Sequence, residues 1–152
     1  MGIFDDANFG AESEVKSQVV DWGKAEDFFV GTFVKAQHNI ETEYGKNSMY
    51  QFIIEKGSFH KLTKKVPAAT PTALNKGELW GVWGRNDLFN GQMNSLRPGQ
   101  VVKLTFAETR ETSAGEAKII KIFAPKNNDG SVVLNQEWLD SQSVTAGDMP
   151  TL

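Results

Sequence analysis

The side chains in this 152-residue sequence that could act on another molecule form two groups. The first would serve catalysis or metal binding, and it is sparse. It holds two histidines, His38 and His60, and no cysteine. Both histidines fall in stretches that read as loops, with no carboxylate at metal-ligand spacing. There is no GxxxxGK phosphate loop, no GxSxG nucleophile turn and no clustered acidic motif of a two-metal nuclease. Glu41 and Glu43 are close neighbours in a polar stretch and read as solvated. These absences lead us to expect no catalytic residue, no metal and no cofactor. The second group is richer: aromatic residues interleaved with basic ones. Trp80 and Trp83 precede Arg85, Tyr44 and Tyr50 flank Lys46, and Phe59 and His60 lead into Lys61, Lys64 and Lys65. Lys35 and Arg110 lie on or near other strand-like segments. Rings of this kind stack on unpaired bases at about 1–3 kcal/mol per base, while cations follow the phosphates.

Elements that would position these residues are legible from periodicity and turn signals. Phe28–Gln37 and Ser48–Lys56 are rich in β-branched and aromatic residues and predict two strands, separated by a polar loop over 38–47. Ser58–Gly77 carries Pro67 and Pro71 and reads as a long functional or mobile connection. Glu78–Gly84 predicts a third strand. Leu88, Phe89, Met93 and Leu96 recur at helical spacing behind Asn86, a plausible N-cap. Val102, Leu104 and Phe106 alternate inward along a fourth strand, Gln100–Glu108. A polar hairpin loop over 109–115 leads to a fifth strand, Glu116–Ala124, closed by Pro125. The order β-β-β-α-β-β predicts an all-β domain with one helix. The expected form is a five-stranded OB-fold Greek-key barrel, with the helix between strands three and four. Strands two and three, with the loops joining strands one to two and four to five, would then form the binding surface.

Alternation sharpens one choice. On strand three Leu79, Gly81 and Trp83 share one face, and Trp80, Val82 and Gly84 the other. Both tryptophans cannot point inward. Trp83 is the better stacking platform, because Gly81 beside it leaves room for a base.

The net charge of −3 conceals a division along the chain. Residues 1–27 hold seven acids against two lysines, residues 28–126 fourteen basic against eight acidic residues, and residues 127–152 four acids alone. The middle is basic and both ends are acidic, which suits a polyanionic partner for the middle. We therefore divide the chain into an acidic arm at 1–26, a barrel domain at 27–126 and an acidic extension at 127–152. The arm has little periodicity, with a short helix expected around Glu12–Val20. Met1–Gly10 lacks the basic and apolar pattern of a signal peptide, and no apolar run is long enough to span a bilayer. A cytoplasmic location without membrane contact is expected.

Three stretches carry a family resemblance: Trp83-Gly84-Arg85, then Leu96-Arg97-Pro98-Gly99-Gln100-Val101, and Glu41-Thr42-Glu43-Tyr44-Gly45 taken with LWGVWGR. In these the chain resembles OB-fold single-stranded DNA-binding proteins, including those of bacteriophages, over roughly residues 28–125. The resemblance implies a closed barrel and DNA contacts by Trp83 and Arg85. It also implies a non-enzymatic, largely sequence-independent role in phage DNA replication or recombination, with single-stranded DNA and replication or recombination proteins as partners. Homo-oligomers are compatible with it. The alternative is a structural or assembly protein that uses a small barrel for protein contacts.

Overall fold

The computed structural model describes residues 18–113 and 115–148, with side chains as far as Gln142. Two long antiparallel hairpins dominate it. The first joins β2 (Phe28–Thr42) to β3 (Gly45–Phe59), and the second joins β8 (Val101–Thr112) to β9 (Gly115–Phe123). Between them in sequence come a small hairpin of β4 (Leu62–Thr63) and β5 (Val66–Pro67), then β6 (Thr72–Leu74), β7 (Leu79–Trp83) and α1 (Asp87–Asn94). A two-residue β1 (Gln18–Val19) opens the described fold, and α2 (Gln136–Asp148) closes it.

Six strands line up as β1-β7-β3-β2-β8-β9, and β6 pairs with the far end of β3. β2 and β8 are antiparallel, with Phe28 opposite Thr105 and Thr32 opposite Val101. The tips of the two long hairpins therefore leave the sheet at opposite ends. Three register shifts bend the β2–β3 ribbon, beside Gly31, Val34 and the 38–39 step, because each extra residue kinks its strand and increases the local twist. Gly57 is required at the first bend. A Cβ there would run into the Phe28 carbonyl and the Phe29 backbone of the neighbouring strand.

The curled sheet buries its aromatic residues on the concave side. Phe29, Phe52, Tyr50, Phe59, Val82, Val102 and Leu104 have almost no exposed surface, and full burial of a large apolar side chain contributes about 1.5–3 kcal/mol. The rings meet edge-on: Phe29–Phe52 at 5.1 Å and Phe59–Trp80 at 5.3 Å between centroids, the arrangement their quadrupoles favour. α1 seals one end of the curl with Phe89 and Met93. The Asn86 side chain caps it, accepting from the Phe89 amide at 2.8 Å.

The closed barrel expected from the sequence is not formed. The sheet is an open half-barrel with six strands along its path, and among the described residues two helices stand where one was expected. The physical reason lies at β7, which has only five residues. Its outer edge is taken by β1, running parallel with Gln18 opposite Trp80 and Val19 opposite Gly81. Among the described residues β9 consequently pairs with β8 alone, and its Lys118 side chain reaches the carbonyl of Trp22. The fold implied by the OB-family resemblance is thereby overturned, and with it the five-stranded Greek-key topology.

Several local expectations also shift. Residues expected in the acidic arm join the fold from Gln18 onward, and Val20 and Trp22 are buried. The end of the helix expected around Glu12–Val20 is instead β1, and its beginning lies outside the described residues. The loop expected over 38–47 is mostly strand, and the long connection over 58–77 contains β4, β5 and β6. The acidic extension is anchored through bridges Gln100–Leu134 and Lys126–Val132 and ends in α2. Among the described residues no helix is long and apolar enough to cross a membrane.

Candidate nucleic-acid interface

The strand pattern sorts the predicted contact residues before any ligand is considered. In the β3–β7 register Tyr50 is opposite Val82 and Phe52 opposite Trp80, all facing the core. Tyr50 is fully buried, and its hydroxyl is within 3.3 Å of Asn94 Oδ1 on α1, to which it donates. Phe59 is fully buried as well, and Trp80 is 5% exposed with its indole N–H donated to Glu78 at 3.0 Å. None of these three rings can receive a base without opening the core. His60 is committed too. Its Nδ1 lies 2.7 Å from Asp27 Oδ1, while its amide and that of Lys24 donate to Asp27 Oδ2. That buried carboxylate clasps the end of β3 to the start of β2.

The outward side of β7 and β3 carries the opposite set. Trp83 is half-buried and sits opposite Met49, whose partner on β2 is Gln37. One row along, Gly81 faces Gln51 and then Lys35, which is exposed. Trp83 and Lys35 thus lie on the same side of the sheet, on β7 and β2, with the buried Met49 and Gln51 of β3 between them. Tyr44 stands at the tip of the β2–β3 hairpin and is 91% exposed.

Arg85 follows two residues after Trp83. The residue as a whole is exposed, yet burial of its guanidinium lowers its pKa. Lys118 on β9 is held below the usual lysine value chiefly by burial and next by the charge of Arg85, opposed by Asp21, Asp27 and Glu116. Arg85, just beyond β7, and Lys118 on β9 thus lie within electrostatic range of each other. A polyanion at this seam would relieve the repulsion between the two cations.

The β4–β5 hairpin presents Lys61, Lys64 and Lys65 to solvent. Lys64 and Lys65 have φ of 52° and 69°. Two consecutive left-handed residues suit a tight hairpin turn whose usual occupants are Asn-Gly. Lysines at both places store backbone strain, which tends to persist where the side chains have a task. The hairpin is tied down through the Leu62 amide, which donates to Asp21 at 3.0 Å. Arg110, near the tip of the β8–β9 hairpin, is instead paired with Glu108 at 3.1 Å.

Phe28, Phe123 and Lys56 also reach the surface, and the sequence did not single them out. Lys103 and Lys121 could be read as outward from their apolar flanks, but nothing in the sequence placed them beside those two rings. Among the described residues no group of three or more potential metal ligands comes together. A depression of about 770 Å³ lies between the turn that follows α1 and the segment 124–136, with Arg97, Gln100 and Lys126 in its lining. Comparison with family models, curated proteins and solved structures finds no match.

Proposed function

We propose that this protein binds single-stranded DNA, largely without regard to sequence and without changing it chemically, in DNA replication or recombination. One observation carries the reading. Among the described residues, the ion pairs made by lysine or arginine are Lys76–Glu55 and Arg110–Glu108, so the other cations of the basic middle make no direct ion pair, and of these Lys118 feels the charges of Asp21, Asp27 and Glu116. Cations left in this state attract a polyanion, and release of its counterions makes binding salt-dependent. Trp83, on the same side of the sheet as Lys35, and Tyr44 at the hairpin tip supply the π-faces that an unpaired base needs and a duplex hides.

Titration with an oligothymidine, read by tryptophan fluorescence at several salt concentrations, tests this reading. Trp22 and Trp80 are buried, so quenching reports chiefly on Trp83 and Trp138. The expected result is quenching by the single strand, much weaker quenching by duplex, and a steep loss of affinity as salt rises. A folded protein whose fluorescence is unchanged by the single strand at low salt would overturn the reading in favour of an assembly protein.

A further inference from the structure

The convex face of β2, β8 and β9 lies apart from Trp83, and the register builds a regular lattice there. One row across four strands reads Lys56, Val30, Lys103, Phe123, and the row beside it Ser58, Phe28, Thr105, Lys121. Each is flanked in sequence by inward residues such as Phe29, Leu104, Phe106 and Ile120, so these side chains stand on the outside. Strand spacing makes each row about 14 Å long and sets the two rows about 7 Å apart.

Three lysines and two phenylalanines occupy this small area, and no carboxylate shares it. Lys56, Lys103 and Lys121 are exposed, Phe28 is half-buried, and Phe123 is 49% exposed. Lys103 Nζ sits 5.3 Å from the centroid of the Phe28 ring, which holds one ammonium over the patch. The intervening row, Thr32 and Val101, is covered by the C-terminal segment, since Asn135 Nδ2 donates to Thr32 Oγ1 at 2.7 Å. The patch is therefore separate from the Trp83 surface and repeats its composition.

We propose that this face is a second contact surface for the same DNA strand, engaged only when the strand is long enough to pass from Trp83 around the sheet. The inference rests on the single-strand reading above. Charge complementarity selects the occupant. A second copy of the chain docking symmetrically would bring lysines against lysines, whereas a phosphate backbone neutralises them and leaves Phe123 free to stack.

A length series of fluorescently labelled oligothymidines, titrated into the wild type and the triple variant Phe123→Ala/Lys103→Ala/Lys121→Ala, tests it. The substituted residues are exposed, and circular dichroism checks the fold. Short oligonucleotides should bind both proteins equally, while long ones should bind the variant about tenfold or more weakly and with a shallower salt dependence. As an independent reporter, Phe123→Trp should add a quenching signal with long oligonucleotides that short ones do not produce. Equal length dependence in wild type and variant, with the added tryptophan silent, overturns the second surface and leaves the first standing. Equal weakening with short and long oligonucleotides also overturns it, because the patch would then belong to the first site. Failure of the wild type to bind any length removes both proposals. A concentration-dependent dimer abolished by the triple variant would replace DNA with a second copy as the occupant.

Discussion

The two sides of the half-barrel are built from the same strands and hold the same kinds of ring, yet their chemistry differs. Inside, Phe52 and Tyr50 on β3 and Trp80 on β7 pack with almost no exposure. Outside, Trp83 on β7 and Phe123 on β9 retain exposed surface and have lysines nearby in the sheet register. A shift of one residue along a strand separates a ring that holds the fold from one that can meet a ligand. Abundance of aromatic and basic residues says little about binding until this sorting is known.

The largest effect that would sharpen the contrast is expected inside. Phe52→Ala removes a fully buried ring that contacts Phe29 and Phe33. It should cost about 3–5 kcal/mol of stability, measured by urea unfolding, and the fraction that remains folded should bind DNA with unchanged affinity. On the outside the pattern should reverse. Trp83→Ala should weaken oligothymidine binding by about 1–3 kcal/mol while moving the unfolding midpoint less than Phe52→Ala does. A Trp83→Ala variant that binds normally would place the stacking surface elsewhere.

The smallest expected effect concerns an inward ring whose polar end reaches a surface carboxylate. Glu78 accepts from the Asn75 amide and from the Trp80 indole, and these bonds, Asn75 first, hold its pKa below the usual carboxylate value. Its ionised form is favoured by the fold, so the stabilisation is fully present above the unfolded-state value and is lost as pH falls through the lowered folded-state value. The thermal midpoint of Glu78→Gln should therefore lie below that of wild type at pH 7, and the gap should narrow as the pH falls below the ordinary carboxylate range. A gap that widens in acid would show the carboxyl to be favoured in its protonated form.

Local chemistry made much of the fold legible. The apolar alternation of Val102, Leu104 and Phe106 placed three residues that are indeed buried, because a strand's side-chain period is fixed at two. Asn86 and the spacing of Phe89 and Met93 located α1, since an N-cap and one apolar face are properties of adjacent residues. The same alternation separated Trp80 from Trp83. Burial of Tyr50 and Phe59 was not legible: an aromatic residue looks the same in sequence whether its ring fills a core or faces water. Capture of His60 by Asp27 depended on two groups 33 positions apart.

By itself, then, the sequence determined where the main strands β2, β3, β7, β8 and β9 run, the helix α1, the basic middle with its acidic flanks and the absence of cysteine chemistry, all set by neighbouring residues, whereas β1, β4, β5 and β6 were not read from it. Tertiary structure alone decided that the sheet stays open, because the outer edge of β7 is occupied by β1, a segment about 60 positions away in sequence. It also decided that Lys56, Lys103, Lys121, Phe28 and Phe123 share one face, because register between distant strands is set by bulges and core packing rather than by spacing within any one of them.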